Sequence, residues 1–154
     1  MEGLDFIAYE DKYQKQFKNI NLHWLQKFKL YEKADDQLLD FPNEFIDNGA
    51  TILLAQINNA IIGTICLNPI NKTTYEILKF AVVDGYKGLG IGRKLLQICI
   101  NLCKEKEVET IILESSSKLQ NALNMYEKFG FQHIEIKDTH FITADIKMEL
   151  KLNS

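Results

Sequence analysis

Residues 86–96 read YKGLGIGRKLL, with glycines at 88, 90 and 92 and the cations Lys87, Arg93 and Lys94 set among them. Three missing Cβ atoms let a ligand approach the main chain, and the first turn of a following helix leaves N–H groups without internal partners. Such amides, lined up at the positive end of a helix dipole, attract an anion, and a diphosphate suits them better than a single carboxylate. The glycines could instead do no more than relieve crowding between a strand and a helix. Two other phosphate loops do not fit. The dinucleotide-binding pattern G-x-G-x-x-G, begun at Gly88, requires glycine where Arg93 stands, and several polar residues separate it from the preceding strand. The pattern G-x-x-x-x-G-K-[ST] requires glycine at the same place.

A loop of this kind needs a strand before it and a helix after it, and the hydrophobic periodicity supplies both. Residues 74–83 (TYEILKFAVV) read as a strand ending in Asp84-Gly85, and residues 88–106 as a helix with Leu95, Ile98, Cys99 and Leu102 along one stripe. Upstream, TILLAQI and AIIGTICL flank Asn58-Asn59, a pair that suits a tight hairpin because Asn tolerates positive φ. Residues 4–9 form a short strand candidate, and Phe17, Ile20, Trp24 and Phe28 recur at helical spacing. A second helix over 30–39 should stop near Phe41-Pro42, since proline disfavours helix in the residue before it. Downstream, residues 108–114 (VETIILE) read as a buried strand and 118–129 as a helix that Gly130 ends, followed by strands over 131–137 and 141–150. The expected fold is α/β of the α+β kind, with residues 1–154 forming one domain. Its sheet is mixed and mostly antiparallel, with six to seven strands and about four flanking helices.

The run Lys87-Gly88-Leu89-Gly90-Ile91-Gly92 resembles the acetyl-CoA motif Q/R-x-x-G-x-G/A of the GNAT superfamily of N-acetyltransferases, with lysine where Gln or Arg is usual. NALNMYEKFGF, residues 121–131, is similar to the second signature of that superfamily, and EILKFAVV resembles the strand that precedes its glycine loop. The likeness is strong from about residue 50 onward and weak before it. It implies splayed central strands, with the pantetheine arm of acetyl-CoA, the cosubstrate, hydrogen-bonded to the backbone of Phe80, Ala81 and Val82. Lys87, Gly88, Leu89, Gly90, Ile91, Gly92, Arg93 and Lys94 would hold the diphosphate, and Asn121 would add a further cofactor contact.

Acetyl transfer needs a neutral amine, yet a free lysine amine has a pKa near 10.4, so a base must remove a proton and an acid can protonate the departing thiolate. The resemblance gives the acid role to Tyr126, whose phenol can donate a proton; the residue could equally be an aromatic packed on the strand before it. For the base it points to Glu114, acting through a water, with Glu76 as competitor. Either carboxylate could be a solvated strand-end charge. The acceptor site is expected around Trp24, Tyr31, Asp138 and Thr139. His23, His133 and His140 receive no role, and Cys66, Cys99 and Cys103 lack ligand spacing, so no metal is expected.

A net charge of −3 argues against a nucleic-acid binder. No apolar run approaches the roughly 18 residues of a membrane span, and MEGLDFIAYEDK lacks signal-peptide character, so a cytoplasmic location is expected. The partner is a small-molecule or peptide amine, and the apolar late strands are compatible with a homodimer. The main reading is direct acetyl transfer to a primary amine. An acyl-CoA-binding sensor that keeps the cradle but transfers nothing is the alternative.

Overall fold

The computed structural model describes residues 2–139 and 141–152; His140 lies outside the described residues. Its centre is a seven-stranded sheet in the order β1-β2-β3-β4-β5-β7-β6. The strands are β1 (Leu4–Ala8), β2 (Thr51–Ile57), β3 (Ala60–Pro69), β4 (Thr74–Val82), β5 (Thr110–Ser115), β6 (Gln132–His133) and β7 (Ile146–Lys151). Asn58 and Asn59 both take left-handed conformations, at φ 49° and 70°, and close the β2–β3 hairpin as their type predicts. Among the described residues only β4 and β5 run parallel, because helix α4 (Ile91–Glu105) carries the chain back between them.

That pairing is short. It joins Thr74 to Thr110 and ends at Ile77 opposite Leu113, although β4 runs on to Val82 and β5 to Ser115. The central strands therefore splay, as the resemblance implies.

Each face of the sheet carries its own apolar cluster. On one, Leu95, Leu96 and Cys99 of α4 and Leu123 and Tyr126 of α5 (Gln120–Lys128) pack on Ile65, Ile77, Ile111 and Leu113. On the other, Phe17 and Leu25 of α1 (Gln14–Lys27) and Leu38 and Leu39 of α2 (Asp36–Asp40) cover Leu54 and Cys66. Each such side chain contributes about 1.5–3 kcal/mol by leaving water.

Some elements differ from the sequence reading. In α1 the fully buried positions are Phe17, Asn21 and Leu25, so the inner face includes a polar residue that hydrophobic periodicity passes over. The segment expected as one helix over 30–39 is a 3-10 turn (Lys33–Asp35) leading into α2, and Pro42 begins another helix, α3 (Pro42–Asp47). Proline lacks the N–H that a first helical residue would leave unused, so it starts a helix as readily as it ends one. The helix expected from Gly88 begins at Ile91, because Gly90 holds the left-handed N-cap position. The two closing strands are shorter than expected. Asp145 N–H bonds to Ser115 C=O at the head of the β5–β7 ladder, and residues 142–143 are drawn to Glu32 instead of a strand. All three cysteines are buried and free, and burial pushes the Cys66 thiol up to about 12. Among the described residues no helix is long and apolar enough to cross a membrane.

Leu95 is fully buried where α4 meets the sheet, and its Cδ1 would lie 3.2 Å from a Cβ built on Gly63. Leu95→Ala is expected to destabilise the protein by about 2–5 kcal/mol, read as a lower urea midpoint at unchanged slope.

Candidate active site

The splay begins at an irregularity in β4. Lys79 has φ 48°, and the β3–β4 register slips between Thr64 and Cys66, so one residue of β4 bulges from the ladder. A left-handed conformation at a residue with a Cβ costs about 1–3 kcal/mol and persists only where neighbours enforce it. Thr64 Oγ1 donates to the Lys79 carbonyl at 2.9 Å, and Lys79 Nζ donates to Asp35 Oδ1 at 2.7 Å. Asn21 Nδ2 in turn donates to Thr64 Oγ1, and Trp24 Nε1 donates to Asn21 Oδ1. This chain of hydrogen bonds explains why α1 buries an asparagine.

Past the bulge, residues 80–82 keep β3 on one side and have no ladder partner in β5. Phe80, Ala81 and Val82 are all half-buried along the resulting gap. The chain then turns through Asp84 and the glycine loop into α4. Gly88 and Gly90 are left-handed at φ 80° and 84°, and a Cβ added to either would meet nothing within 4 Å. The space over this turn is open. At the head of α4 the first amide to find a protein acceptor is that of Lys94, on the Gly90 carbonyl at 3.0 Å. Among the described residues the amides of 90–93 have no such acceptor, as the geometry of a helix start requires. The cradle fits an anion with several oxygens, and the diphosphate of a coenzyme is of that kind.

Beside this turn α4 and α5 enclose a groove of about 460 Å³ lined by Arg93, Gln97, Asn121, Asn124, Met125 and Lys128. Arg93 and Asn121, singled out separately in the sequence, thus share one wall-to-wall space. Lys94 and Leu89 are exposed, and Ile91 is buried in the core. Gly92 fits closely, because a Cβ there would lie 3.3 Å from both Met125 Cε and Phe80 Cζ.

Asp84 is the residue that sequence reasoning missed. Its Oδ2 lies 3.1 Å from His23 Nε2 and 3.6 Å from Lys27 Nζ, and its Oδ1 lies 3.2 Å from Lys87 Nζ. The hydrogen bond from His23, then that from Lys87, holds its carboxyl down at about 2. The i,i+3 spacing of Asp84 and Lys87 was a readable signal; the approach of His23 from α1 was not.

The three residues considered for proton transfer divide between the faces of the sheet. Tyr126 is buried on the α4–α5 side, its ring centroid 6.1 Å from Phe80 and 5.7 Å from Phe131. Burial pushes its phenol well above the ordinary value, so it carries its proton at neutral pH. Glu76 is paired with Ile112 and Glu114 with Lys147 across the ladders. Strand alternation puts both carboxylates on the face opposite Ile77 and Leu113, on either side of the point where β4 and β5 part. Glu76 is 2% exposed and Glu114 is half-buried.

Of the residues expected around an acceptor, Tyr31 donates to Asp36 Oδ1 at 2.6 Å, which raises its phenol to about 12, and Asp138 and Thr139 are exposed. Glu32, next to Tyr31, accepts from Ile142 N–H, Thr143 N–H and Thr143 Oγ1 at 3.0, 2.9 and 2.7 Å. It ties the segment before β7 to the opening helices.

The Acetyltransferase (GNAT) family matches residues 18–131, so the chain belongs to that family. It is 29% identical over 105 residues to N-alpha-acetyltransferase 50 of Danio rerio, a match covering 66% of this chain and 62% of that protein. It is 35% identical over 85 residues to the [Ribosomal protein bS18]-alanine N-acetyltransferase of Haemophilus influenzae, covering 54% of this chain and 56% of that one. The chain thus spans less than two thirds of the length of these curated relatives. A GNAT-family acetyltransferase structure from Staphylococcus aureus Mu50 superposes with a TM-score of 0.89 at 24% identity, covering 97% of this chain and 99% of that one. A GNAT-family acetyltransferase from Elizabethkingia anophelis, solved with acetyl-CoA bound, superposes with a TM-score of 0.67 at 20% identity, covering 99% and 100%.

The carboxyl of Asp84 sits below its ordinary 3.8, so the stability it contributes is complete above that value and is lost as the pH falls towards about 2. Asp84→Asn is expected to flatten the acid limb of the stability profile between those two pH values, measured by urea titration at each pH.

Proposed function

We propose that this chain transfers an acetyl group from acetyl-CoA directly to a primary amine, and that the acceptor is the α-amine of a peptide or protein. The observation that carries the reading is the helix start at residues 90–93, whose amides find no backbone acceptor, beneath the open space over the left-handed Gly88 and Gly90 and next to the parted ends of β4 and β5. Acetyl-CoA supplies a thioester, whose thiolate is a competent leaving group. Residues 88–93 would grip the diphosphate, with Arg93 and Lys94 adding positive charge and Lys87 shared with Asp84. The backbone of Phe80, Ala81 and Val82 would orient the pantetheine arm, and Asn121 would meet it from α5.

Tyr126, protonated and held between two aromatic rings, would donate to the departing sulfur from one side of the gap. Glu114 or Glu76 would take a proton from the incoming ammonium on the other side, through a water. Separate faces suit separate roles, since an acid and a carboxylate in direct contact would share one proton. The peptide acceptor is supported by the relatives named above, whose names specify N-alpha or ribosomal-protein alanine acetylation. A cytoplasmic setting fits such substrates.

The decisive experiment follows thiol release from acetyl-CoA against peptides with free α-amines, the same peptides with blocked termini, and small amines. Release with free termini alone is expected. Release with small amines alone would replace the acceptor class. Silence with every acceptor, while acetyl-CoA still raises the melting temperature, would establish a sensor instead. In the active protein, Tyr126→Phe is expected to lower kcat by about 10²-fold or more with acetyl-CoA affinity nearly unchanged; equal losses in both would make Tyr126 a binding residue.

A further inference from the structure

Regular alternation along β4 would put Ile77 and Lys79 on one face and Leu78 and Phe80 on the other. The observed strand departs from this. Ile77, Phe80 and Val82 all pack with the α4–α5 cluster, while Leu78 packs with the α1–α2 cluster and Lys79 reaches Asp35 on that same side. The left-handed bulge at Lys79 is what allows it, since a one-residue slip moves every later side chain to the opposite face. Without the bulge the ammonium of Lys79 would enter the apolar cluster, and Phe80 would leave Tyr126.

Asp35 is 2% exposed and Lys79 5% at their side chains, and the ion pairs of Lys18, Lys27, Lys87 and Lys151 are all far more open to water. Burying such a pair is a poor way to gain stability, because well-packed apolar residues of similar volume usually do as well or better. Its value lies in direction. Asp35 is itself aimed, as its Oδ2 accepts from the Glu32 amide at 2.9 Å in a capping box, and the Phe141 ring closes over Lys79 Nζ at 4.6 Å.

We propose that the Asp35–Lys79 ion pair is a positioning device for cofactor binding: by drawing Lys79 to the α1–α2 side it enforces the bulge and sets the register in which residues 80–82 face the gap. This rests on the reading that residues 80–82 orient the pantetheine arm. Asp35 and Lys79 then touch neither substrate and act through the backbone alone.

The test replaces the pair in two ways. Glycine adopts φ near 48° freely, so Asp35→Asn with Lys79→Gly removes both charges and leaves the bulge accessible. Asp35→Asn with Lys79→Leu removes both charges and favours a regular strand, since leucine is at home in the apolar cluster. Calorimetry with coenzyme A is expected to show the leucine double variant binding at least about tenfold more weakly than wild type, and the glycine double variant within about threefold. Urea unfolding is expected to rank them the other way, with leucine the more stable. A purely structural pair predicts that affinity follows stability. Equal affinity in wild type and the leucine variant, or a glycine variant as weak as leucine, would overturn the proposal. Should either double variant fail to fold, Thr64→Val removes the second anchor of the Lys79 carbonyl and is expected to weaken coenzyme A binding; unchanged affinity there would also overturn it. Absence of heat with the wild-type protein would instead remove the acetyl-CoA reading itself.

Discussion

Strands β4 and β5 begin side by side and part after Ile77 and Leu113, just before the left-handed residue at Lys79, which the β3–β4 ladder passes by a shift of register. The glycine turn, the unpaired edge of residues 80–82 and the candidate acid and base are all arranged around that interruption. Parting the strands leaves main-chain groups of β4 with only one neighbour in the sheet. The gap lies between two faces that have separate apolar clusters. A parallel pair is where such a gap can be made with least disturbance, because the connection between the strands is a whole helix, α4, and its N-terminus opens beside the gap.

The electrostatics follow the same geometry. The chain as a whole is acidic, with a net charge of −3, but the glycine turn gathers helix-start amides, Arg93 and Lys94 in one place. Asp84 moderates that field by holding Lys87, Lys27 and His23 around one carboxylate, joining the turn to α1. These pairs are half-open to water, so they contribute little to stability and more to where the cations stand. The acid and base candidates are likewise placed by the sheet: Tyr126 packs under one face, and Glu76 and Glu114 flank the gap on the other.

The loop and its flanking elements were legible because their signals are local. Alternating glycines before an apolar stripe specify a left-handed entry into a helix, and Asn58-Asn59 specify a hairpin, whatever surrounds them. Leu95 and Cys99 marked the inner face of α4 correctly, whereas Ile98 and Leu102 lie at its flank and Cys103 completes it. Periodicity failed where burial is polar. Asn21 occupies the centre of α1's inner face because Thr64 and Trp24 need its amide, and no hydropathy pattern can announce that. The last strands are shorter than their composition suggests because β-forming residues do not say which backbone groups another residue will claim, and Glu32 claims those of Ile142 and Thr143.

By itself the sequence determined the order of the strands with α4 and α5 between them, the glycine cradle and the likeness to N-acetyltransferases, since each depends on residues within a turn or two of one another. Only the tertiary structure decided that Lys79 bulges out of β4, that Asp35, 44 residues earlier, is its partner, and that Asp84 gathers Lys27 of α1 and Lys87 of the glycine turn. The reason is physical: the cost of a left-handed lysine and of a buried charge is met by groups that reach the site only once the helices have packed on the sheet.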